Sequence, residues 1–393
     1  VCKQSKVNEQ INSFLQTRID AGDFPSVVYL VAEKGEIVAS DALGHAVIEP
    51  EKIEAKVDTI YDLASITKVV ATGLIAAKLA ELGELDLDDK VSRYLSEFES
   101  NNKASITIEN LLIHNSGLAG WLPLYLLADD PAHVVKAIAD MPLDYRTGEQ
   151  VVYSDPNFVV LGKLIEKVAV TPLDKLCSEM ILAPLGLRDT SFNPAAILRD
   201  RIAASEKGND FERQLCVEQG FITPVAIAPG SDSFRSPQSA FRTETIWGEV
   251  HDNNAHFMGG VAGHAGLFST AEEVFKIALQ FLPNYTQLLK PETCELFTTN
   301  FTPGMSEHRA FAFQLASSPD STAGSKMSPE SLGHTGFTGT SLWVDSVRER
   351  IFILLTNRTH KRALPFANIN SVRRNFHHLA IDLLNKRRKE TRE

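Results

Sequence analysis

Residues 66 to 82 constrain this chain more than any other stretch. Ile66, Val69, Val70, Leu74, Ile75, Ala76, Ala77, Leu79, Ala80 and Leu82 cover nearly the whole circumference of a helix. A helix that is apolar all round belongs in an interior. The chain must enclose it on every side, and 393 residues suffice for two lobes or for one large domain with an insertion. Yet at the head of this run stand a hydroxyl and an amine three positions apart, Ser65 and Lys68. Burying a lysine is unfavourable unless its charge is paired or removed.

Nucleophilic chemistry would give such a pair a use. Residues i and i+3 share one helix face. A serine hydroxyl is a weak nucleophile until a neighbour accepts its proton. A lysine can do so when desolvation or nearby positive charge lowers its pKa. The helix N-terminus aims unpaired N–H groups at the same spot, as an oxyanion requires. A capping serine with a lysine that snorkels to solvent explains this stretch alone equally well. A second Ser-x-x-Lys, Ser100 to Lys103, has no apolar run behind it and reads as a solvated loop.

The two ends of the chain mirror each other. Val7, Ile11, Phe14, Leu15 and Ile19 have the spacing of an amphipathic helix, followed by two strands joined at Lys34-Gly35. Residues 340 to 357 read as another antiparallel pair, with a closing helix after them. Residues 66 to 200 are helical in pattern, and 205 to 245 read as a long surface loop. The expected fold is α/β (α+β): an antiparallel sheet flanked by helices from both chain ends, with an inserted all-helical domain. Its expected divisions are 1–70 and 240–393 for the sheet domain and 71–239 for the helical one.

Two further segments bear on the serine and lysine. Tyr153-Ser154-Asp155 precedes an amphipathic helix, and a phenol placed there could relay a proton to a leaving group. His334-Thr335-Gly336 leads into a strand, where small residues would let a strand edge lie against a substrate and Phe337 N–H serve as an oxyanion donor. A helix cap and a glycine turn are the plainer alternatives.

Composition narrows the partners. A net charge of −11 argues against an extended basic face for nucleic acid, and the basic tail 385–393 reads as the solvated end of the last helix. No apolar run reaches the ~18 residues of a membrane span. Four scattered cysteines form neither a zinc spacing nor a dense disulfide framework. His251, Asp252, His256 and His264 lack standard ligand spacing, so no metal and no cofactor is expected.

Together, Ser65-x-x-Lys68, Tyr153-Ser154-Asp155 and His334-Thr335-Gly336 resemble, in order, the motifs of the β-lactamase and penicillin-binding serine hydrolases, specifically their class C β-lactamase-like branch. The stretch 111–118, "LLIHNSGL", and 259–274 add to the likeness. The resemblance implies a β-lactamase/transpeptidase-like fold with Ser65 as nucleophile, Lys68 as proton acceptor and Tyr153 as the group that passes the proton on. It implies that Asp155, His334, Thr335, Gly336 and Phe337 meet the substrate, with the Ser65 and Phe337 N–H groups as the oxyanion hole. His334 replaces the lysine of many β-lactamases, and Asp155 replaces an asparagine, a carboxylate that would hold Lys68 more firmly as a cation and leave Tyr153 a larger share of the proton transfer. Segment 248–270 is similar to muropeptide amidases. The implied partner is a small-molecule or peptide substrate, in a bacterial periplasm or cell envelope rather than the cytoplasm. Amide or ester hydrolysis is the expectation; a class C β-lactamase and a non-turnover penicillin or muropeptide sensor are its rivals.

Overall fold

The computed structural model describes residues 8–223 and 240–390. Residues 224–239, at the centre of the expected surface loop, and the end of the basic tail lie outside it. Among the described residues ten strands form two sheets: β1 (Ser26–Glu33), β2 (Glu36–Val47), β3 (Ile53–Glu54), β4 (Tyr61–Asp62), β5 (Ser191–Phe192), β6 (Leu267–Ser269), β7 (Gln314–Leu315), β8 (Leu332–Thr335), β9 (Ser341–Asp345) and β10 (Arg350–Thr356). The larger sheet runs β3-β2-β1-β10-β9-β8-β7 and every neighbouring pair is antiparallel. Strands from both chain ends thus share one sheet, as their mirrored patterns predict.

Side chains alternate faces along a strand, and β1 serves two cores for that reason. Val27, Tyr29 and Val31 point into one apolar cluster, while Val28, Leu30 and Ala32 point into another. The first cluster is closed by helices Glu9–Asp20 and Asn370–Glu390 through Ile11, Leu15, Phe376 and Ile381. The second holds the apolar run after Ser65 from Ile66 to Leu79, whereas Leu82, just past the helix end and expected inside, is exposed. Lys34 and Gly35 both take positive φ, +54° and +76°, as a two-residue hairpin between twisted strands requires. No helix among the described residues is long and apolar enough to cross a membrane.

Two expectations are corrected. The flanks of segment 205–245 are not surface loop: residues 210–218 form a helix, and Ser205, Glu206, Asn209 and Cys216 are buried. Backbone bonds between Ser205 and Ile246 and between Gly208 and Glu244 zip the two flanks together, which the polar composition concealed. Nor is Lys103 solvated. Its side chain is buried and its ammonium donates to the Met141 carbonyl.

Candidate active site

Ser65 sits on a single turn of 3-10 helix, Ala64–Ile66, which runs on through Thr67 into a π-helical turn, Lys68–Gly73, before the α-helix Leu74–Glu81. The expected plain α-helical start is therefore first tightened and then widened. Three residues per turn eclipse i and i+3, so Ser65 and Lys68 stand one above the other with Nζ 3.1 Å from Oγ. Ala64 turns the chain into this arrangement with φ +48°, a left-handed conformation that L-residues seldom adopt. The Asp62 carboxylate holds the turn by accepting the Ala64 N–H at 2.8 Å.

Lys68 is buried and does not snorkel. Its ammonium donates to Ser65 Oγ, to Asp155 Oδ1 at 2.7 Å and to the His264 carbonyl at 3.0 Å, which uses all three protons. Burial pushes the Lys68 pKa down, but Asp155 and Tyr153 outweigh it and the net direction is up. The carboxylate that stands in place of an asparagine thus holds the proton on Lys68. Ser154, not Asp155, caps the helix Asp155–Ala169, through a 3.3 Å bond from Asn157 N–H to its hydroxyl, which leaves the Asp155 carboxylate free for Lys68.

Tyr153 lies against Lys68, whose Nζ is 5.0 Å from its ring centroid. Its hydroxyl is buried and has no hydrogen-bond partner among the described residues. Burial raises the phenol pKa, against the opposing pull of the Lys68 charge. What fixes Tyr153 in place is the stretch 114–120. His114 Nδ1 accepts the Ser154 N–H at 3.1 Å, its carbonyl accepts the Val152 N–H at 2.9 Å, and its ring packs 4.7 Å from that of Tyr153. The Ala119 carbonyl takes the Ser154 hydroxyl, and the Gly120 carbonyl takes the Asp155 N–H.

The end of β8 closes the opposite side. A Cβ on Gly336 would lie 2.0 Å from Thr340 Oγ1 and 2.6 Å from the Leu63 carbonyl oxygen, so only glycine lets the strand end meet the Ser65 turn. Thr338 and Thr340 hydroxyls pin this junction to the carbonyls of Asp62 and Leu63. Ser65 is second in its turn, where a backbone N–H lacks an intrahelical partner. Phe337 N–H has no acceptor among the described residues either. The Phe337 ring packs with Phe211, His251 and Phe366.

His334 directs Nδ1 at the Thr335 carbonyl, 2.9 Å away. A carbonyl only accepts, so Nδ1 carries the proton and Nε2 is bare in the neutral ring. Burial, with Lys68 and Arg309 nearby, holds the His334 pKa well below its usual range. Burial and the same two cations do so for His114.

The structure brings Ser65, Lys68, Tyr153 and Asp155 together and sets Gly336 against the Ser65 turn. Sequence reasoning missed three contributors. His114 was visible only as part of a family-like stretch. Arg309, a buried guanidinium 2.8 Å from Glu307 and 5.7 Å from the Tyr153 ring centroid, belongs to no pattern. The His264 carbonyl that receives Lys68 is backbone, on which residue type leaves no mark. Segment 259–266 packs under the site. A Cβ on Gly263 would lie 2.0 Å from the Phe158 carbonyl oxygen, and Thr72 donates to the Gly263 carbonyl. His251, His264 and His256 face three different carboxylates, Glu206, Asp252 and Glu249.

Known proteins share this arrangement of elements. The family model described as Beta-lactamase matches residues 11–372. A protein of Escherichia coli (strain K12) named "Putative D-alanyl-D-alanine carboxypeptidase" is 31% identical over 379 residues, covering 89% of this chain and 82% of its own. One of the same name from Salmonella agona (strain SL483) is 32% identical over 388 residues, covering 91% and 84%. Among solved structures, EstCE1, described as a hydrolase with promiscuous acyltransferase activity, superposes with a TM-score of 0.71 at 20% identity, covering 96% of this chain and 100% of its own. A penicillin-binding protein homologue from Pyrococcus abyssi gives 0.69 at 19% identity, over 95% of this chain and 77% of its own.

Proposed function

The chain belongs to the β-lactamase family of serine hydrolases, and from that premise we propose that Ser65 attacks an amide or ester carbonyl of a cell-wall peptide or muropeptide and carries the acyl group covalently. One observation carries this reading: a buried ammonium shared between Ser65 Oγ and Asp155 Oδ1, beside a phenol with no partner of its own. A buried, unsatisfied hydroxyl is unfavourable by about 1–3 kcal/mol, and a passing proton or a leaving group would satisfy it.

As Ser65 Oγ bonds to the carbonyl carbon, its proton passes to the Lys68–Tyr153 pair. Both groups hold their protons tightly at rest, so only the fraction of protein in which the pair has already lost one proton can accept it. The Ser65 and Phe337 N–H groups receive the developing oxyanion. Tyr153 then delivers the proton to the departing nitrogen or oxygen, and the scissile bond breaks. Water reverses these steps, frees the acid and restores Ser65. Lys68, kept cationic by Asp155, stabilises the negative charge that grows on Oγ. The names borne by the curated relatives support a peptide substrate. Neutral His334 offers no fixed charge to a β-lactam carboxylate, which favours a peptidase or esterase over a β-lactamase.

The test is a hydrolysis screen over muropeptides, D-amino-acid peptides, short-chain esters and a chromogenic cephalosporin, with Ser65→Ala as the blank. Continuous turnover of a peptide or ester is expected. Release of one equivalent and no more would establish a sensor. Cephalosporin turnover near the ceiling of ~10⁸ M⁻¹s⁻¹ would establish a β-lactamase.

A further inference from the structure

Two guanidinium groups stand behind the strand end that meets the Ser65 turn. Arg373, on the helix Asn370–Glu390, is buried. Its Nη2 donates to the Gly336 carbonyl at 2.9 Å and to the Thr340 carbonyl at 3.0 Å, and its Nη1 donates to Asn370 Oδ1. Arg358 Nε donates to the Phe337 carbonyl at 2.7 Å, and its guanidinium carbon lies 5.0 Å from the Phe337 ring centroid. Among the described residues neither arginine forms an ion pair. Burial pulls the Arg358 pKa down to about 10, and burial with the Arg358 charge pulls that of Arg373 down to about 9, so both stay cationic at neutral pH. A buried charge without a counter-charge is unfavourable, and a neutral donor could satisfy the same carbonyls at less cost.

The Gly336 carbonyl and the Phe337 N–H belong to one peptide group. That group is planar and trans, so its N–H points away from its C=O, and whatever fixes the carbonyl aims the N–H. The Gly336 carbonyl is held twice, by Arg373 and by the Gly339 N–H at 3.0 Å across the turn. Hydrogen bonds in series polarise one another, and a charged donor on the carbonyl makes the N–H beyond it a stronger donor in turn. We propose that Arg373 is a positioning residue of the reaction, whose guanidinium aims and polarises the Phe337 N–H towards the negative charge that grows on the substrate's carbonyl oxygen. The inference rests on the reading of Ser65 as the nucleophile and the Phe337 N–H as an oxyanion donor, and it adds the charge behind that donor. The field of Arg373 reaches the site, where it joins burial, Lys68 and Arg309 in holding His334 neutral. It favours the transition state over the bound substrate, because the carbonyl oxygen carries little charge until Ser65 attacks.

Arg373→Gln and Arg373→Met remove the charge, and Arg373→Lys keeps it. Removing an oxyanion donor outright lowers kcat by ~10²–10³-fold, so weakening one should lower kcat for p-nitrophenyl acetate by roughly tenfold in the Gln and Met variants, with KM almost unchanged. Arg373→Lys should recover much of that loss. Phenylboronic acid, which holds a serine nucleophile as a tetrahedral anion, should lose affinity across the series in the same ratio as kcat/KM. Urea midpoints measured alongside separate this from a clamp that merely joins the helix to the hairpin, for which kcat would follow stability and not charge. Such a dependence on stability, boronate affinity undiminished in Arg373→Gln, or Arg373→Lys no more active than Arg373→Gln would overturn the proposal. Failure of the nucleophile reading would show elsewhere, as ester hydrolysis by the native protein that persists in Ser65→Ala.

Discussion

Lys68 Nζ and Asp155 Oδ1 lie 2.7 Å apart in a site closed to water on the lysine side, and Ser65 Oγ is 3.1 Å from the same nitrogen. Burial and the carboxylate act on the ammonium in opposite directions, and the carboxylate prevails. With Lys68 and Tyr153 both raised, the form that can take a proton from Ser65 grows as pH rises. The kcat/KM for a neutral ester should therefore climb from neutral pH into the alkaline range. Asp155→Asn removes the group that holds the proton on, leaves burial to act alone, and should move that limb to lower pH. A pH–rate profile that Asp155→Asn leaves in place would refute the assignment.

A fluorophosphonate probe should label the peptide that contains Ser65, and Ser65→Ala should abolish the label. The other Ser-x-x-Lys pair makes a built-in control, because the Lys103 amine is committed to the Met141 carbonyl. Mass added at Ser100 would sink the proposal.

Lys68→Ala and Tyr153→Phe should each lower kcat by ~10²–10⁴-fold, the range for general acid–base groups. Groups that handle one proton jointly lose activity non-additively. The double variant should fall little below the worse single variant, and losses that multiply would show independent roles.

Gly336→Ala introduces a Cβ that meets the Leu63 carbonyl oxygen at 2.6 Å, and backbone cannot swing aside as a side chain can. Overpacking of this kind destabilises by about 1–3 kcal/mol, to be read as a lower urea midpoint. Because the strand end must retreat from the Ser65 turn, kcat should fall as well. Unchanged stability and turnover would mean that β8 does not press on the nucleophile.

His114 and His334 are both held neutral well below the ordinary imidazole range. The rate profile should show no inflection near pH 6.5 that His334→Gln removes. Such an inflection would mean that His334 titrates, and the case against binding a β-lactam carboxylate would lose its basis.

The large features were legible because they depend on residue type and spacing. An apolar circumference behind Ser65, the continuous apolar runs of β1 and β10, and the small residues Thr335 and Gly336 each carry their own physics in one dimension. What escaped notice depends on partners distant in the chain. The Arg309–Glu307 pair resembles surface charge until the fold buries it. Lys103 looked solvated because nothing near it in sequence announces the Met141 carbonyl. The helix at 210–218 hid in a polar stretch whose apolar members, Phe211, Leu215, Cys216 and Val217, are few. The sign of the Lys68 shift, by contrast, was legible, because a carboxylate stands at 155 where the resembling family has an asparagine.

The pairing of β1 with β10 joins Val27 to Thr356, and Ser26 bonds through its side chain to Asn357. A ribosome delivering this chain from its N-terminus would release the nucleophile long before the strand that backs it. Contacts between residues so far apart in sequence close slowly, since the entropy of the intervening loop must be overcome before any of them forms. Until β8 and β10 dock, Gly336 cannot meet the Ser65 turn and Phe337 cannot offer its N–H. The newborn polypeptide should thus carry an inert serine through synthesis, and hydrolytic competence should appear late and all at once.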